Sequence, residues 1–350
     1  MNKYTFWMVT ALATGFLGAA DSRPKALLPV SEHFTQVRLV HIYDNKPLTD
    51  FALTPDGKLL VAVGAETQVR DFASQKVLAQ VAQSLPYGRV VASPDGQSAA
   101  IAAGDTLEFR TLPLLDLTSS RKVDGKLTAL ALSPDAKRLA YAACTQEAQE
   151  GEHTTCVKAE VHLIEVDKTK PVYDWDAGFD YVFALQFTAD GSSLLAGICA
   201  AQRQTEFGRL CSDGRVVAWN TVTFQESGRS PSFDRTVFGL ALTPDEKTLA
   251  AASREGRLVL LSFPDFKPVT TKIPESQAVG RLIFPADGKT LFGSSRDRIR
   301  AWDLGSGGLL ARFGVFRITN LKWAPDHALL LAGNDDGDLY EFGPALKPGA

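Results

Sequence analysis

The sequence predicts an all-β protein, a seven-bladed β-propeller with four-stranded antiparallel blades, closed by an N-terminal strand that completes the last blade. Three observations predict it. A turn signature recurs seven times, short apolar strands lie between the turns, and a strand missing from the last unit is matched by a spare strand before the first.

The turn signature is a small or proline residue and an aspartate closing a short apolar run. It occurs at Thr54-Pro55-Asp56-Gly57, Ser93-Pro94-Asp95-Gly96, Ser133-Pro134-Asp135-Ala136, Thr188-Ala189-Asp190-Gly191, Thr243-Pro244-Asp245-Glu246, Pro285-Ala286-Asp287-Gly288 and Ala324-Pro325-Asp326-His327. The aspartates are spaced 39, 40, 55, 55, 42 and 39 residues apart. A period near 40 with a turn at a fixed place means one supersecondary unit copied around an axis. The fifth unit shows the pattern plainly. Residues 237–242 (VFGLAL) form a first apolar strand and, after the turn, 248–252 (TLAAA) form a second. Arg254-Glu255-Gly256 turns the chain into a third strand at 257–262 (RLVLLS), and 269–272 reads as a fourth. Strands of four to six residues bounded by Gly, Pro and Asp are an all-β pattern.

The seventh unit has three strands, at 318–323, 328–332 and 338–342, and then runs into Gly343-Pro344. Residues 37–43 (VRLVHIY) stand before the first unit in the fourth-strand position. Pairing the two removes the edges that an open array would expose. The propeller is therefore expected over residues 37–343 as a monomeric ring, with a linker at 21–36 and a tail at 344–350. Residues 1–20 read as a cleaved signal peptide. Lys3 supplies the positive region, 6–17 (FWMVTALATGFL) the apolar core, and Gly18-Ala19-Ala20 the small residues before cleavage. An uncleaved anchor is the competing reading, but the run is short and Asp21, Arg23 and Lys25 follow at once. A periplasmic or secreted location is expected, with no membrane span after cleavage. A net charge of −3 offers no general attraction to nucleic acid, and 45% apolar with 22% charged residues suits a soluble globular protein.

The third and fourth units are about 15 residues over the period, and both insertions fall between the second and third strands. Each holds two cysteines 12 residues apart, Cys144 and Cys156 in one, Cys199 and Cys211 in the other. Four cysteines permit three pairings. Identical spacing at equivalent hairpin positions favours Cys144–Cys156 and Cys199–Cys211, and export to an oxidising compartment favours disulfides. A zinc site is the alternative, but no two cysteines have the close spacing that such sites show.

Trp302-Asp303 at the end of a third strand, with Trp219-Asn220 as a near match, resembles the WD-repeat family and its YVTN-like bacterial seven-bladed relatives over nearly all of 37–343. No unit has the Gly-His pair of the WD consensus, so its buried His–Asp network is not implied. The resemblance implies that second-to-third strand turns and blade connections share one face, with the Pro-Asp turns opposite. That face would carry both insertions, with Glu147, Glu150 and Glu152 on the first and Arg203 and Arg209 on the second. Blade connections would add Tyr87, Phe179, Tyr181, Phe233 and Phe316, residues suited to a binding surface or to plugging gaps between blades. The first strands would line the axis, placing Asp50, Arg89, Ala129, Ala184, Gly239, Arg281 and Asn320 at equivalent sites. The polar arc of Asp50, Arg89, Arg281 and Asn320 suits a small anion or a partner's side chain, or Asp50 and Arg89 pair with each other.

Catalytic motifs are missing. His33, His41, His153, His162 and His327 are scattered, and no H-E-x-x-H, C-x-x-C-H, G-x-S-x-G or phosphate loop occurs. Residues 334–338 (NDDGD) resemble a calcium loop but lack its position-12 glutamate, and a hairpin turn accounts for them. Residues 301–313 (AWDLGSGGLLARF) resemble a quinoprotein blade motif, once only. No metal and no cofactor is expected. The sequence thus reads as an exported, non-catalytic scaffold for protein partners. The alternatives are an enzyme or redox-enzyme subunit of lactonase-like or amine-dehydrogenase-like type, and a binder of a small anion or sugar at the axial mouth.

Overall fold

Seven antiparallel sheets surround one axis in the computed structural model, which describes residues 34–344 apart from 83–84, 86, 151–152, 167–170, 207, 272, 274–278 and 296. The predicted signal peptide (1–20), most of the predicted linker (21–33) and residues 345–350 lie outside the described residues. Blades 1 to 7 begin with the strands Leu48–Leu53, Arg89–Ala92, Lys126–Leu132, Leu185–Phe187, Val237–Leu242, Arg281–Ile283 and Ile318–Ala324. These first strands touch their neighbours all the way round, blade 7 against blade 1 included. Second strands are covered on both faces by adjacent blades, so they read as unbroken apolar runs such as Leu59–Gly64 and Thr248–Ser253. Fourth strands lie at the rim, and Leu117–Lys122 is almost wholly exposed.

Blade 7 is completed from the N-terminus. Phe34–His41 pairs antiparallel with Asp338–Pro344, from Phe34 opposite Pro344 to His41 opposite Asp338. The predicted strand, 37–43, is thus offset: pairing starts three residues earlier, and Ile42 and Tyr43 already turn away, their amides held by the Gly337 carbonyl. Side chains reinforce the seam, through Arg38 with Glu341 (2.7 Å) and His41 Nδ1 with Asp338 Oδ1 (2.6 Å). On the opposite face His327 reaches from blade 7 to the Gly57 carbonyl at 3.0 Å and lies 5.0 Å from the Phe72 ring.

The Pro-Asp turns are built alike in five blades. In the first, the Thr54 hydroxyl donates to Asp56 (2.7 Å), and Asp56 accepts the Lys58 amide at 3.1 Å. The seventh turn differs. Ala324 has no hydroxyl to donate, and Pro325–His327 forms a short 3-10 helix instead.

Two further differences concern blades 3 to 5. The insertions are strands, not loops: Arg138–Glu150 pairs with His153–Glu165 and Ser193–Thr205 with Gly208–Asn220, 13 residues each. Among the described residues, blade 5 shows three paired strands, because Pro268 at the fourth-strand position has no amide hydrogen for the ladder. Only a Leu261–Pro268 bridge and a Val269-to-Leu260 hydrogen bond stand where 269–272 was expected to pair.

Candidate functional site

Both disulfides form, and each is set across a bulge. Cys144 lies opposite Ala159 while Cys156 lies opposite Glu147, and the second hairpin repeats the offset with Cys199–Gly214 and Gln202–Cys211. Each pair of α-carbons is 5.8 Å apart, within ordinary bridging distance. All four cysteines are buried at the root of the hairpins, which carries the propeller core upward into the projections.

The blade 3–4 connection is stitched to those roots. The Phe179 amide donates to the Cys199 carbonyl at 2.8 Å and the Asp180 amide to the Cys156 carbonyl at 2.9 Å. Gly178 and Gly125 occupy matching places before the first strands of blades 4 and 3, with φ of 74° and 90°. A β-carbon on either would come within 2.3 Å and 2.2 Å of the Cys199 and Cys144 carbonyl oxygens, so only glycine fits there. Insertions and blade connections therefore share one face.

Between the second hairpin and blade 5 lies a cleft of about 500 Å³. Its walls include Tyr181, Phe183 and Phe238 together with Arg209, Arg235 and Arg254. Phe183 and Phe238 meet edge to face at 4.8 Å, and the Arg254 guanidinium lies 5.7 Å from the Phe238 ring centre. Asp180 is the acidic residue of the lining, and its carboxylate accepts from the Tyr181 amide and the Thr236 hydroxyl. The cleft is thus basic and aromatic in a protein of net negative charge.

The predicted face residues are distributed over this surface unequally. Tyr87 is exposed beneath the Lys126 ammonium, 4.3 Å from its ring centre. Tyr181 is half-buried, donates its hydroxyl to Glu147 at 2.6 Å, and has its phenol pushed up by burial and by that carboxylate. Phe179 is half-buried and Phe316 half-exposed. Phe233 is a correction: it is buried in the core between blades 4 and 5 with Arg257 over its ring, and it plugs that gap rather than facing a partner. Arg203 and Arg209 are exposed on the second hairpin, with Arg209 on the cleft wall. Glu150 stands opposite His153 at the tip of the first hairpin, and Glu152 lies outside the described residues.

Asp50, Arg89, Ala129, Ala184, Gly239, Arg281 and Asn320 all line one axial cavity of about 290 Å³. The Asp50–Arg89 pair weighed above does not form. Asp50 is buried and accepts from the Phe51 amide (2.8 Å), the Val90 amide (3.1 Å) and the Asn320 side chain, while Arg89 donates to the Thr128 and Gly88 carbonyls at 3.1 and 2.9 Å. Arg281 donates to the Phe183 carbonyl at 3.0 Å, and its guanidinium is lowered to about 10 by burial and by the nearby Arg89 charge, against the pull of Asp50. It stays cationic at neutral pH.

Sequence reasoning missed Arg235, Arg254 and Lys322. Arg254 looked like part of a turn and nothing more. Lys322 lies two residues beyond Asn320 on the same strand, and the alternation of side chains could have found it. Among the described residues no three His, Cys, Asp or Glu side chains are grouped to hold a metal ion, and no helix is long and apolar enough to cross a membrane.

No family model matches the chain. It is 27% identical over 171 residues to apoptotic protease-activating factor 1 of Rattus norvegicus, a stretch covering 41% of this chain and 14% of that protein. It is 26% identical over 175 residues to the Mus musculus protein of the same name, 42% and 14% respectively. The similarity thus spans about a seventh of the length of these relatives. With seven blades around one axis and a Trp302-Asp303 pair closing a third strand, the chain is a WD-repeat-like β-propeller.

Proposed function

We propose that this propeller is an exported, non-catalytic scaffold that docks a protein partner on its hairpin-bearing face. One observation carries the reading: two adjacent blades raise disulfide-braced hairpins beside a basic, aromatic cleft of about 500 Å³. Bracing removes chain freedom before a partner arrives and lowers the cost of ordering the surface against it. Tyr, Phe and Arg are side chains enriched where interfaces hold most of their energy. The similarity to apoptotic protease-activating factor 1 supports the repeat class. The signal peptide at 1–20, the periplasmic or secreted location, the single-ring state and the place among YVTN-like bacterial propellers belong to the same proposal.

Replacing residues 145–155 and 200–210 with tight turns tests it. Affinity capture with the exported protein from its own compartment is expected to recover a partner that the shortened ring, still folded by circular dichroism, does not. Retention of every partner by the shortened ring would sink the idea. The mass of the exported chain checks cleavage after Ala20.

A further inference from the structure

We infer that the axial cavity is a binding site for a small oxyanion, a carboxylate or phosphate group, held between the guanidinium groups of Arg89 and Arg281. The inference is independent of the hairpin-face reading, since it concerns the channel and not the projections.

The charge balance inside the ring is the first ground. Arg89, Arg281 and Lys322 line the cavity, while Asp50 is the carboxylate of its lining. Asp50 is already occupied by two backbone amides and Asn320. No carboxylate of the described residues stands within the 4.0 Å ion-pair distance of either guanidinium. Three cations thus share the cavity with one carboxylate, and the cost of that excess positive charge falls when an anion enters. Burial first, and the Arg89 charge second, lower the proton affinity of Arg281.

Geometry is the second ground. Each guanidinium is tethered by backbone carbonyls, Arg89 by Thr128 of the neighbouring blade 3, and Arg281 by Thr319 of the neighbouring blade 7 and, further round the ring, by Phe183 before blade 4. The tethers use Nε and Nη1 and leave Nη2 of both groups without a hydrogen bond to the described protein. Two held forks with spare donors are pre-organised for a planar or tetrahedral oxyanion. A cavity of about 290 Å³ sits at the lower edge of small-ligand pockets, which suits a group of a few heavy atoms. Phe183 and Phe238 line this cavity and the cleft above it, so the hairpin-bearing face is the side of access.

Such an anion is either free in solution or the acidic side chain of a bound polypeptide. Isothermal titration of the full chain with succinate, inorganic phosphate and an Asp/Glu-rich peptide separates the sources. One-to-one binding of succinate or phosphate identifies a free ligand. Binding of the peptide and of neither small anion, lost in the cavity variants, identifies a polypeptide carboxylate. In both cases Arg89→Gln with Arg281→Gln is expected to weaken binding about tenfold or more, and Lys267→Ala, outside both the cavity and the cleft, to leave it unchanged. The anion should also raise the melting temperature of the wild type and not of the double variant. Should the double variant fail to fold, Arg281→Lys, which keeps the charge and loses the fork, must show the weakening. No binding of any probe, or equal affinity in the folded cavity variants, overturns the assignment, as does loss of binding in Lys267→Ala alone.

Discussion

Asp95 and its counterparts show how one side chain makes a turn and gives it a pH range. The Ser93 hydroxyl and the Gln97 amide both donate to the Asp95 carboxylate, at 2.5 and 2.9 Å, and hold it below the ordinary value of 3.8. Asp56, Asp135, Asp190 and Asp245 are lowered in the same way. A carboxylate depressed in the folded state stabilises it above the unfolded value, and that contribution is lost as pH falls through the depressed range. The urea midpoint is therefore expected to drop from about pH 6 to about pH 3. Alanine at Thr54, Ser93, Ser133, Thr188 and Thr243 should make the drop shallower; an unchanged slope would count against these turns. The same scale shows what sequence could not reach. Phe233 and Tyr87 both sit in blade connections, yet one is buried and the other exposed, because that choice depends on whether a neighbouring blade leaves room.

Among the elements, the two hairpins were legible as insertions and illegible as strands. Residues 145–150 (TQEAQE) have no apolar alternation, because neither face of the projecting ribbon meets a core. Backbone pairing and one disulfide hold each ribbon instead, and neither leaves a periodic trace. Each disulfide closes a 12-residue separation, worth roughly 3 kcal/mol in the chain-entropy account. Replacing Cys199 and Cys211 with serine should lower stability by up to about that amount. Hydrogen exchange is expected to accelerate across 200–210 while blades 1, 6 and 7 keep their protection. Uniform acceleration around the ring would mean that the bridge supports the whole molecule. Blade 5 is the opposite case, its fourth strand reduced among the described residues to a bridge at Pro268, which has no amide hydrogen to donate.

The ring as a whole was readable because its period repeats seven times and any one ambiguous strand is outvoted by six others. Its basic cleft was not, since Arg235 and Arg254, distant in sequence, are brought to one wall by the pairing of Val237 with Ser253, and Arg209 by the hairpin of the preceding blade. Closure depends on Phe34–His41, which covers the edge of Asp338–Pro344. Removing residues 34–41 exposes that edge, and the truncated chain is expected to unfold or to form oligomers by light scattering. The same segment added as a free peptide should restore the monomer, and a stable truncated monomer would refute the role of the seam.

The direction of that seam has a mechanical consequence. Phe34 and Pro344 are paired at one end of the ladder and His41 and Asp338 at the other. A pull applied between the two ends of the propeller therefore does not shear all the rungs together. It loads them one at a time, from Phe34 inward, and the ionic contacts of Arg38 and His41 are met only after the outermost pairs have parted. Such a ring opens as a zip does, one rung at a time, from the point where its chain enters and leaves.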